Sequence, residues 1–403
     1  MKIRFHISSL RIILLFGVVT AFIACDKDPA PPEDPTKSGP IIATIYASIE
    51  DIKMNEIQTI GSHNSYRLKT YKPIFDLVTS GTPPPGLNPL EWDYTHEALS
   101  TQFSTHRVRS IELDIHHDPA GGLYWNREGN KWVGDTTASF IDELLDPGMK
   151  VLHIPDLDYN TNNFTFKDAL SAVKSWSDAN PTHLPLIVMV ELKTYQINIP
   201  GFAIVLPFTA SALDSVDMEI ESVFGMMLSN IITPEILKGT YASVNEAVLA
   251  GAWPTLAEAR GKIFIVAMAS SGEKASYMQS YPGMIGRSMF MFSDVGSAET
   301  AFIIKNNPVS DQDTIHELVQ AGYMVRTRAD VGTWEARNGD YSRMNLAMSS
   351  GAQIISTDYY RPDPRADTSS SWTNYSVNFP NFVTAILNPI NGPTKFEGLT
   401  ITE

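Results

Sequence analysis

Short apolar runs, each followed by polar residues, recur along the chain with room for a helix between them. The run 186–190 is apolar at every position, as expected for a strand that is buried on both faces. Helical patterns separate several runs. In 166–179 the apolar residues share one helical face, and Thr165 or Asn163 could cap that helix. Strands that alternate with helices in this way predict βα units rather than a sandwich.

Eight apolar runs predict the strands of a closed barrel. They are 57–60, 110–115, 151–152, 186–190, 262–268, 289–293, 323–327 and 353–356. We therefore predict an α/β fold, a TIM-type (β/α)8 barrel that forms a single catalytic domain. Two long segments, 67–95 and 195–260, leave from predicted C-terminal strand ends, and we expect them to be insertions at the catalytic face.

Two carboxylates lie in the second predicted strand. Glu112 and Asp114 are two residues apart, so both should point to the same side of an extended chain. Two carboxylates directed into a barrel mouth repel each other unless a cation or a proton lies between them. The alternative is a structural pair of carboxylates bonded to Arg107 or Arg109.

An amide and a third carboxylate are expected beside that pair, because the C-terminal strand ends of a barrel meet on one face. Asn64 follows the first run and Glu191 follows the fourth. A glutamate that ends an apolar strand is costly to bury unless it binds a metal or a base. Hard oxygen ligands of this kind suit calcium. Lys193 shares the side of Glu191, and it either neutralises that glutamate or contacts a phosphate or an inositol hydroxyl.

Two histidines occupy similar strand-end positions. His63 follows the first run and His153 follows the third. Beside a bound cation, one imidazole could act as a general acid and the other could stabilise the transition state. A phosphate ester is the substrate that such a site would suit.

Two arginines end the seventh predicted strand. Arg326 and Arg328 share one face, so an inward guanidinium at the top of the barrel could bind a phosphate. A salt bridge to Asp330 or Asp358 is an equally good interpretation of the same pattern.

The composition narrows the possible partners. The chain has 403 residues, 43% of them apolar, which is typical of a packed globular protein. Its formal net charge is −15, and this argues against nucleic acid as a partner, because phosphate backbones need clustered Lys and Arg.

The N-terminus has the pattern of an export signal. Basic residues precede an apolar run, 12–23, that is too short for an ordinary membrane span. The segment 22–25 resembles a lipobox, although Phe22 replaces the usual leucine-like residue. We therefore predict a lipoprotein signal peptide over 1–25 and acylation of Cys25, the only cysteine in the chain. An ordinary signal peptide with an incidental cysteine is the alternative.

The rest of the chain then divides into two parts. Residues 26–45 are rich in Pro and Asp and predict an extended tether, and residues 46–403 form the predicted barrel domain. We expect an exported protein that is anchored by lipid to a bacterial membrane, on the periplasmic side or at the cell surface, and that acts as a monomer.

Six segments in order along the chain resemble the bacterial calcium-dependent phosphatidylinositol-specific phospholipase C family. They are 61–66 (GSHNSY), 111–117 (IELDIHH), 151–156 (VLHIPD), 190–193 (VELK), 325–330 (VRTRAD) and 350–358 (SGAQIISTD). The likeness runs from about Asn55 to Tyr360, and the set of six is more specific than any one motif. The segment before the Glu-x-Asp strand and the Pro-rich segment 82–89 depart from the family pattern.

The resemblance implies a calcium site, two catalytic histidines and a phosphodiester substrate. The implied calcium ligands are Asn64, Glu112, Asp114 and Glu191. His63 and His153 match the catalytic histidines, and the roles assigned to these two can be exchanged. Either Glu112 or Glu191 would accept the proton of the inositol 2-hydroxyl. The implied reaction cleaves phosphatidylinositol-type lipids to diacylglycerol and inositol 1,2-cyclic phosphate, and then to inositol phosphate.

Two alternatives remain open at this point. A glycerophosphodiester phosphodiesterase is also a metal-using barrel, but that family usually has His-Arg-Gly after the first strand, where this chain has His63-Asn64-Ser65. A surface lipoprotein that binds inositol lipids without turnover would not need two proton-transfer groups.

Overall fold

The computed structural model describes residues 46–81 and 87–403. The predicted signal peptide, the acylation site Cys25 and the tether over 26–45 lie outside the described residues. Within them, no helix is both long and apolar enough to cross a membrane.

The described residues form ten β-strands. They are β1 (Ile57–Ser62), β2 (Ser110–His116), β3 (Lys150–Val151), β4 (Leu186–Leu192), β5 (Ile263–Met268), β6 (Phe290–Met291), β7 (Phe302–Ile304), β8 (Met324–Arg328), β9 (Ile354–Thr357) and β10 (Ala385–Leu387).

Eight of these strands form a parallel barrel in the order β6-β5-β4-β2-β1-β9-β8-β7. The two outermost strands of that order, β6 and β7, share no ladder within the described residues, so the barrel is nearly closed. β10 adds antiparallel to β1. The prediction of a TIM-type (β/α)8 barrel is confirmed.

One predicted barrel strand is wrong and one was missed. The run 151–152 contributes only to β3, which pairs antiparallel with the end of β2 and lies outside the barrel. The barrel contains β7 instead, a strand of three residues that is too short to show a period in the sequence. The predicted number of eight barrel strands is therefore correct, although one of the eight is a different strand.

Eleven α-helices are present in the described residues. They are α1 (Lys72–Ser80), α2 (Leu99–Ser104), α3 (Phe166–Ala179), α4 (Ala210–Phe224), α5 (Pro234–Lys238), α6 (Val244–Leu249), α7 (Leu256–Ala259), α8 (Ser271–Met278), α9 (Pro308–Gln320), α10 (Trp334–Asn338) and α11 (Ser342–Ser349). Short 3-10 helices occupy Ile49–Asp51, Met54–Glu56, Pro89–Trp92, Glu128–Val133, Asp142–Leu144, Pro282–Met284, Pro380–Phe382 and Thr394–Phe396.

The helix predicted over 166–179 is confirmed as α3, and Thr165 is its cap, because its side chain accepts a hydrogen bond from Asp168 N. The segment 195–260 was predicted as one insertion at the catalytic face. In the structure it includes α4, which packs beside α3 as an ordinary barrel helix. Only the part before α4 belongs to the loop that leaves the end of β4.

A second apolar cluster lies at the C-terminal end of the barrel, apart from the main core. It joins side chains of the insertion after β1, the loop after β2 and the loop after β4, including Ile74, Trp92, Leu152 and Phe202. This packing fixes the three loops against one another above the barrel mouth.

Candidate active site

Three carboxylates meet at the ends of two neighbouring strands. β2 and β4 pair in parallel, and their register places Asp114 beside Glu191. Glu112 lies one pleat earlier on the same side of β2, as strand alternation predicts. One oxygen from each of the three carboxylates lies within 4.8 Å of the others. Such a group can hold a metal ion.

Two further observations fit calcium at this place. Asn64 follows β1 in the left-handed region (φ 46°), a conformation that Asn tolerates better than most residues. Its Oδ1 is buried, as is Asp114 Oδ1, and neither atom has a hydrogen-bond partner among the described residues. Buried oxygens without partners are unusual, and a hard cation would satisfy them.

Two cations of the protein neutralise the carboxylates. Lys193 Nζ lies 2.8 Å from Asp114 Oδ2 and 3.1 Å from Glu191 Oε1. Arg326 Nη2 donates a hydrogen bond to Glu112 Oε2 at 2.7 Å. The structure therefore shows Lys193 as a neutralising group, and its contact with a phosphate stays a prediction.

These surroundings set the charge of the carboxylates. Burial raises the pKa of Asp114 to about 6, with the charge of Lys193 acting in the opposite direction. Burial also raises the pKa of Glu112, although Arg326 opposes this. Burial alone would raise the pKa of Glu191 as well, but Lys193 lowers it below its usual value. Glu191 is thus the carboxylate of the three that most readily carries a charge.

The predicted phosphate-binding arginines both lie at the site and both have protein partners. Arg326 also donates to Ser356 Oγ at 3.0 Å and to Asn306 Oδ1. Arg328 Nη2 donates to Asp358 Oδ2 at 2.8 Å. This is one of the salt bridges that the sequence analysis gave as an alternative to phosphate binding. Their contact with a phosphate also stays a prediction.

His63 lies between an aspartate and an arginine. Its Nδ1 is 2.8 Å from Asp358 Oδ1, and its Nε2 is 3.4 Å from Arg328 Nη1. Burial and the charge of Arg328 lower the pKa of His63 to about 4. The imidazole is therefore neutral at pH 7.

His153 also has an aspartate partner, but among residues 46–81 and 87–403 no arginine contacts its other nitrogen. Its Nδ1 is 2.7 Å from Asp158 Oδ2. Asp158 is in turn held by Arg67, with Nε 2.6 Å from Oδ2 and Nη2 2.9 Å from Oδ1, and by Thr70 Oγ1. The pKa of Asp158 is well below its usual range, because the charges of Arg67 and His153 overcome the effect of burial.

The aspartates that orient the two histidines were not predicted in that role. Asp358 directly follows β9, so its strand-end position was a usable signal, yet the sequence indicated it only as a salt-bridge partner. Asp158 lies in the turn after β3, five residues from His153, and no strand-end pattern marks it. Arg67 follows the first motif but faces Asp158 rather than the metal site.

A cavity of about 210 Å³ opens beside His153 and Lys193. Apolar side chains of the loop after β4 and of nearby loops form much of its wall: Leu87, Ile154, Ile197, Phe202 and Val205. We call this space the His153 cavity. It places an apolar surface directly next to His153 and Lys193.

Comparison with known proteins identifies the family. Residues 52–389 match the family described as phosphoinositide phospholipase C, Ca2+-dependent. No curated protein is significantly similar to the chain in sequence.

Solved structures with a similar fold include a calcium-dependent phosphoinositol-specific phospholipase C from Pseudomonas sp. (14% identity, TM-score 0.46, covering 82% of this chain and 95% of that one). A Ca2+-dependent phosphatidylinositol-specific phospholipase C from Streptomyces antibioticus has 16% identity and a TM-score of 0.47, covering 76% and 95%. A glycerophosphoryl diester phosphodiesterase from Parabacteroides distasonis has 13% identity and a TM-score of 0.34, covering 83% and 92%. Because these identities and TM-scores are low, the family assignment does not rest on the solved structures.

The family match spans most of the chain and agrees with the six motifs and with the carboxylate group at the barrel mouth. The chain belongs to the Ca2+-dependent phosphoinositide phospholipase C family and is a phosphoric diester hydrolase.

Proposed function

We propose that the protein cleaves phosphatidylinositol-type lipids in a calcium-dependent reaction that gives diacylglycerol and inositol 1,2-cyclic phosphate, and then inositol phosphate. The observation that supports this best is the group of Glu112, Asp114 and Glu191 at the same barrel end as two aspartate-paired imidazoles. Intramolecular attack needs charge stabilisation at phosphorus and proton transfer at two oxygens, and these groups can supply both.

The calcium would be held by Asn64, Glu112, Asp114 and Glu191. When bound, it would lower the pKa of the inositol 2-hydroxyl and offset the charge that develops at phosphorus. Glu191 is the better acceptor for the hydroxyl proton, because its carboxylate is 37% exposed whereas that of Glu112 is buried against Arg326.

His153 would protonate the departing diacylglycerol oxygen. It borders the His153 cavity, where the apolar part of a lipid would lie, and it is paired with the ionised Asp158. On the other side, Arg328 would carry the positive charge toward the phosphoryl oxygens, since the neighbouring His63 is neutral.

Exposed apolar side chains support a lipid substrate at a membrane surface. Large ones on the connections that follow β1, β2, β4 and β8, which leave from the catalytic end of the barrel, include Leu90, Trp132, Tyr195, Ile204 and Trp334. Trp132 stacks on Phe202 in the wall of the His153 cavity, with ring centroids 5.5 Å apart. Exposed apolar side chains on loops that leave the catalytic end of the barrel suit a lipid substrate with a charged head group.

We also propose that acylated Cys25 anchors the exported protein to a membrane. The lipobox-like segment before it supports this proposal. Cys25→Ser should move the protein from the membrane fraction to the soluble fraction of the producing cell, as followed by immunoblotting. Unchanged fractionation would contradict the anchor.

Phosphorus NMR of the products tests the proposed reaction. Phosphatidylinositol in mixed micelles should give the signal of a five-membered cyclic phosphate, and a calcium chelator should abolish that signal. Glycerophosphocholine serves as the competing substrate. Cleavage of glycerophosphocholine alone would indicate a phosphodiesterase of the other family, and lipid binding without product would indicate a binding protein.

A further inference from the structure

Two of the predicted calcium ligands already contact a positive charge that belongs to the protein. Lys193 Nζ lies 2.8 Å from Asp114 Oδ2 and 3.1 Å from Glu191 Oε1. We propose that Lys193 is a tethered cation that neutralises Asp114 and Glu191 in the metal-free enzyme and is displaced from them when calcium binds. The proposal rests on the proposed function only in taking calcium as the ion.

The two internal cations of the site differ in how firmly they are held. Arg326 is buried and donates to Glu112, Ser356 and Asn306 at once. Lys193 is 19% exposed, and the polar contacts of its Nζ within the described residues are the two carboxylates alone. A lysine is a point charge on a flexible stem, whereas a guanidinium in a fixed fork is not easily moved. Lys193 is therefore the cation that can leave.

Displacement requires no change in the backbone. Lys193 N donates to Ile115 O at 3.0 Å and so extends the ladder between β2 and β4 by one residue. The side chain also borders the His153 cavity, which has space for the released ammonium. From there it would face the phosphate of a bound lipid, so both roles predicted from the sequence belong to one residue, one before calcium binds and the other after.

Electrostatics gives the direction of the effect on affinity. A positive charge within a few ångströms of the ion position opposes a divalent cation. Without that charge, Asp114 and Glu191 would repel each other in the free protein, and calcium would relieve the repulsion. Removing the ammonium should therefore tighten calcium binding, even though it removes a residue that contacts the site.

Calorimetric titration of the full chain with calcium chloride tests this, without lipid, at low ionic strength and at pH 8. Lys193→Met should lower the dissociation constant at least about tenfold, or ~1.4 kcal/mol. Lys262→Met is the matched control, because Lys262 precedes β5 at the opposite end of the barrel and contacts Ser229 O. It should bind calcium like the wild type. Unchanged or weaker binding by Lys193→Met would overturn the proposal.

A second measurement needs no variant. Acylation of the wild-type protein by acetic anhydride, followed by mass spectrometry, should modify Lys193 several-fold faster with calcium than without it, relative to Lys262. Equal rates would overturn displacement, and so would a wild type that binds no calcium. A protein that binds calcium and releases Lys193, yet forms no cyclic phosphate from phosphatidylinositol, would overturn only the proposed reaction.

Discussion

The two histidine sites use the same hydrogen bond but differ in the charge around it. In each, the Nδ1 atom lies 2.7–2.8 Å from a buried aspartate. Arg328 contacts Asp358 and also lies 3.4 Å from the free nitrogen of His63. In the other site, Arg67 contacts Asp158, the partner of His153, and His153 itself borders an apolar cavity.

The difference teaches which imidazole can deliver a proton. An aspartate at Nδ1 orients an imidazole in both sites, but a guanidinium near Nε2 disfavours the protonated form. His63 is accordingly neutral at pH 7, with its pKa lowered to about 4 by burial and by Arg328. In the part of the chain that the structure describes, no guanidinium contacts His153 Nε2, which supports the proposal that His153 is the general acid.

The largest expected effect comes from removing that acid. His153→Ala should lower turnover of phosphatidylinositol about 10²–10⁴-fold, as for loss of a general acid. A synthetic inositol phosphodiester with a p-nitrophenol leaving group needs little protonation, so the same variant should retain most of its activity on it. Spectrophotometric release of p-nitrophenol provides the measurement.

His63→Ala is the matched variant for that experiment. Its loss of activity should be similar for both substrates, because in the proposed mechanism His63 and Arg328 act on the phosphoryl group rather than on the leaving group. If the artificial substrate rescued His63→Ala and left His153→Ala inactive, the two roles would have to be exchanged.

Replacing the aspartate of each histidine site should lower the unfolding free energy of the protein by different amounts. Asp158→Asn leaves the fully buried Arg67 without a charged partner among the described residues, and removal of one member of a buried pair costs about 3–5 kcal/mol of unfolding free energy. Asp358→Asn should cost less, because Asp330 Oδ1 lies 4.0 Å from Arg328 Nη2 and can take over as a partner. Urea denaturation at pH 8 measures both values.

The role of Asp330 in that comparison depends on its charge. Burial and the neighbouring Asp358 raise the pKa of Asp330 to about 7, so at pH 8 Asp330 is already ionised and can act as the partner of Arg328 when Asp358 is replaced. Equal losses for the two asparagine variants would show that Asp330 gives no compensation.

A single substitution can remove the difference in charge between the His63 site and the His153 site. Arg328→Met should raise the pKa of His63 from about 4 by about 1–3 units, because the opposing positive charge is lost while Asp358 stays. Imidazole signals in an NMR titration with a calcium chelator present report the change. An unchanged value would attribute the low pKa of His63 to burial and to Arg326 rather than to Arg328.

The sequence was sufficient to predict the site residues that lie at the ends of regular strands. It was not sufficient to predict the site residues that lie elsewhere. Glu112, Asp114 and Glu191 were found because strand alternation and parallel pairing fix both their side and their level. Asp158 was missed as the partner of His153 because it lies in a turn whose position depends on packing of three loops above the barrel. β7 was missed for a related reason, since three residues carry no measurable period.

The smallest effect concerns a third histidine next to the His63 site. His96 Nε2 lies 2.7 Å from His63 O, and burial lowers the pKa of His96 to about 4. Between about pH 6.5 and 4 the unfolded chain therefore binds this proton and the folded chain does not, so stability falls as the pH falls. His96→Gln keeps a donor for His63 O and removes the titration. The unfolding free energy of the wild type should fall more steeply than that of the variant, by up to ~1.4 kcal/mol per pH unit, in urea denaturation at several pH values. Parallel curves would mean that the pKa of His96 is the same in the folded and the unfolded chain, so that burial next to His63 does not lower it.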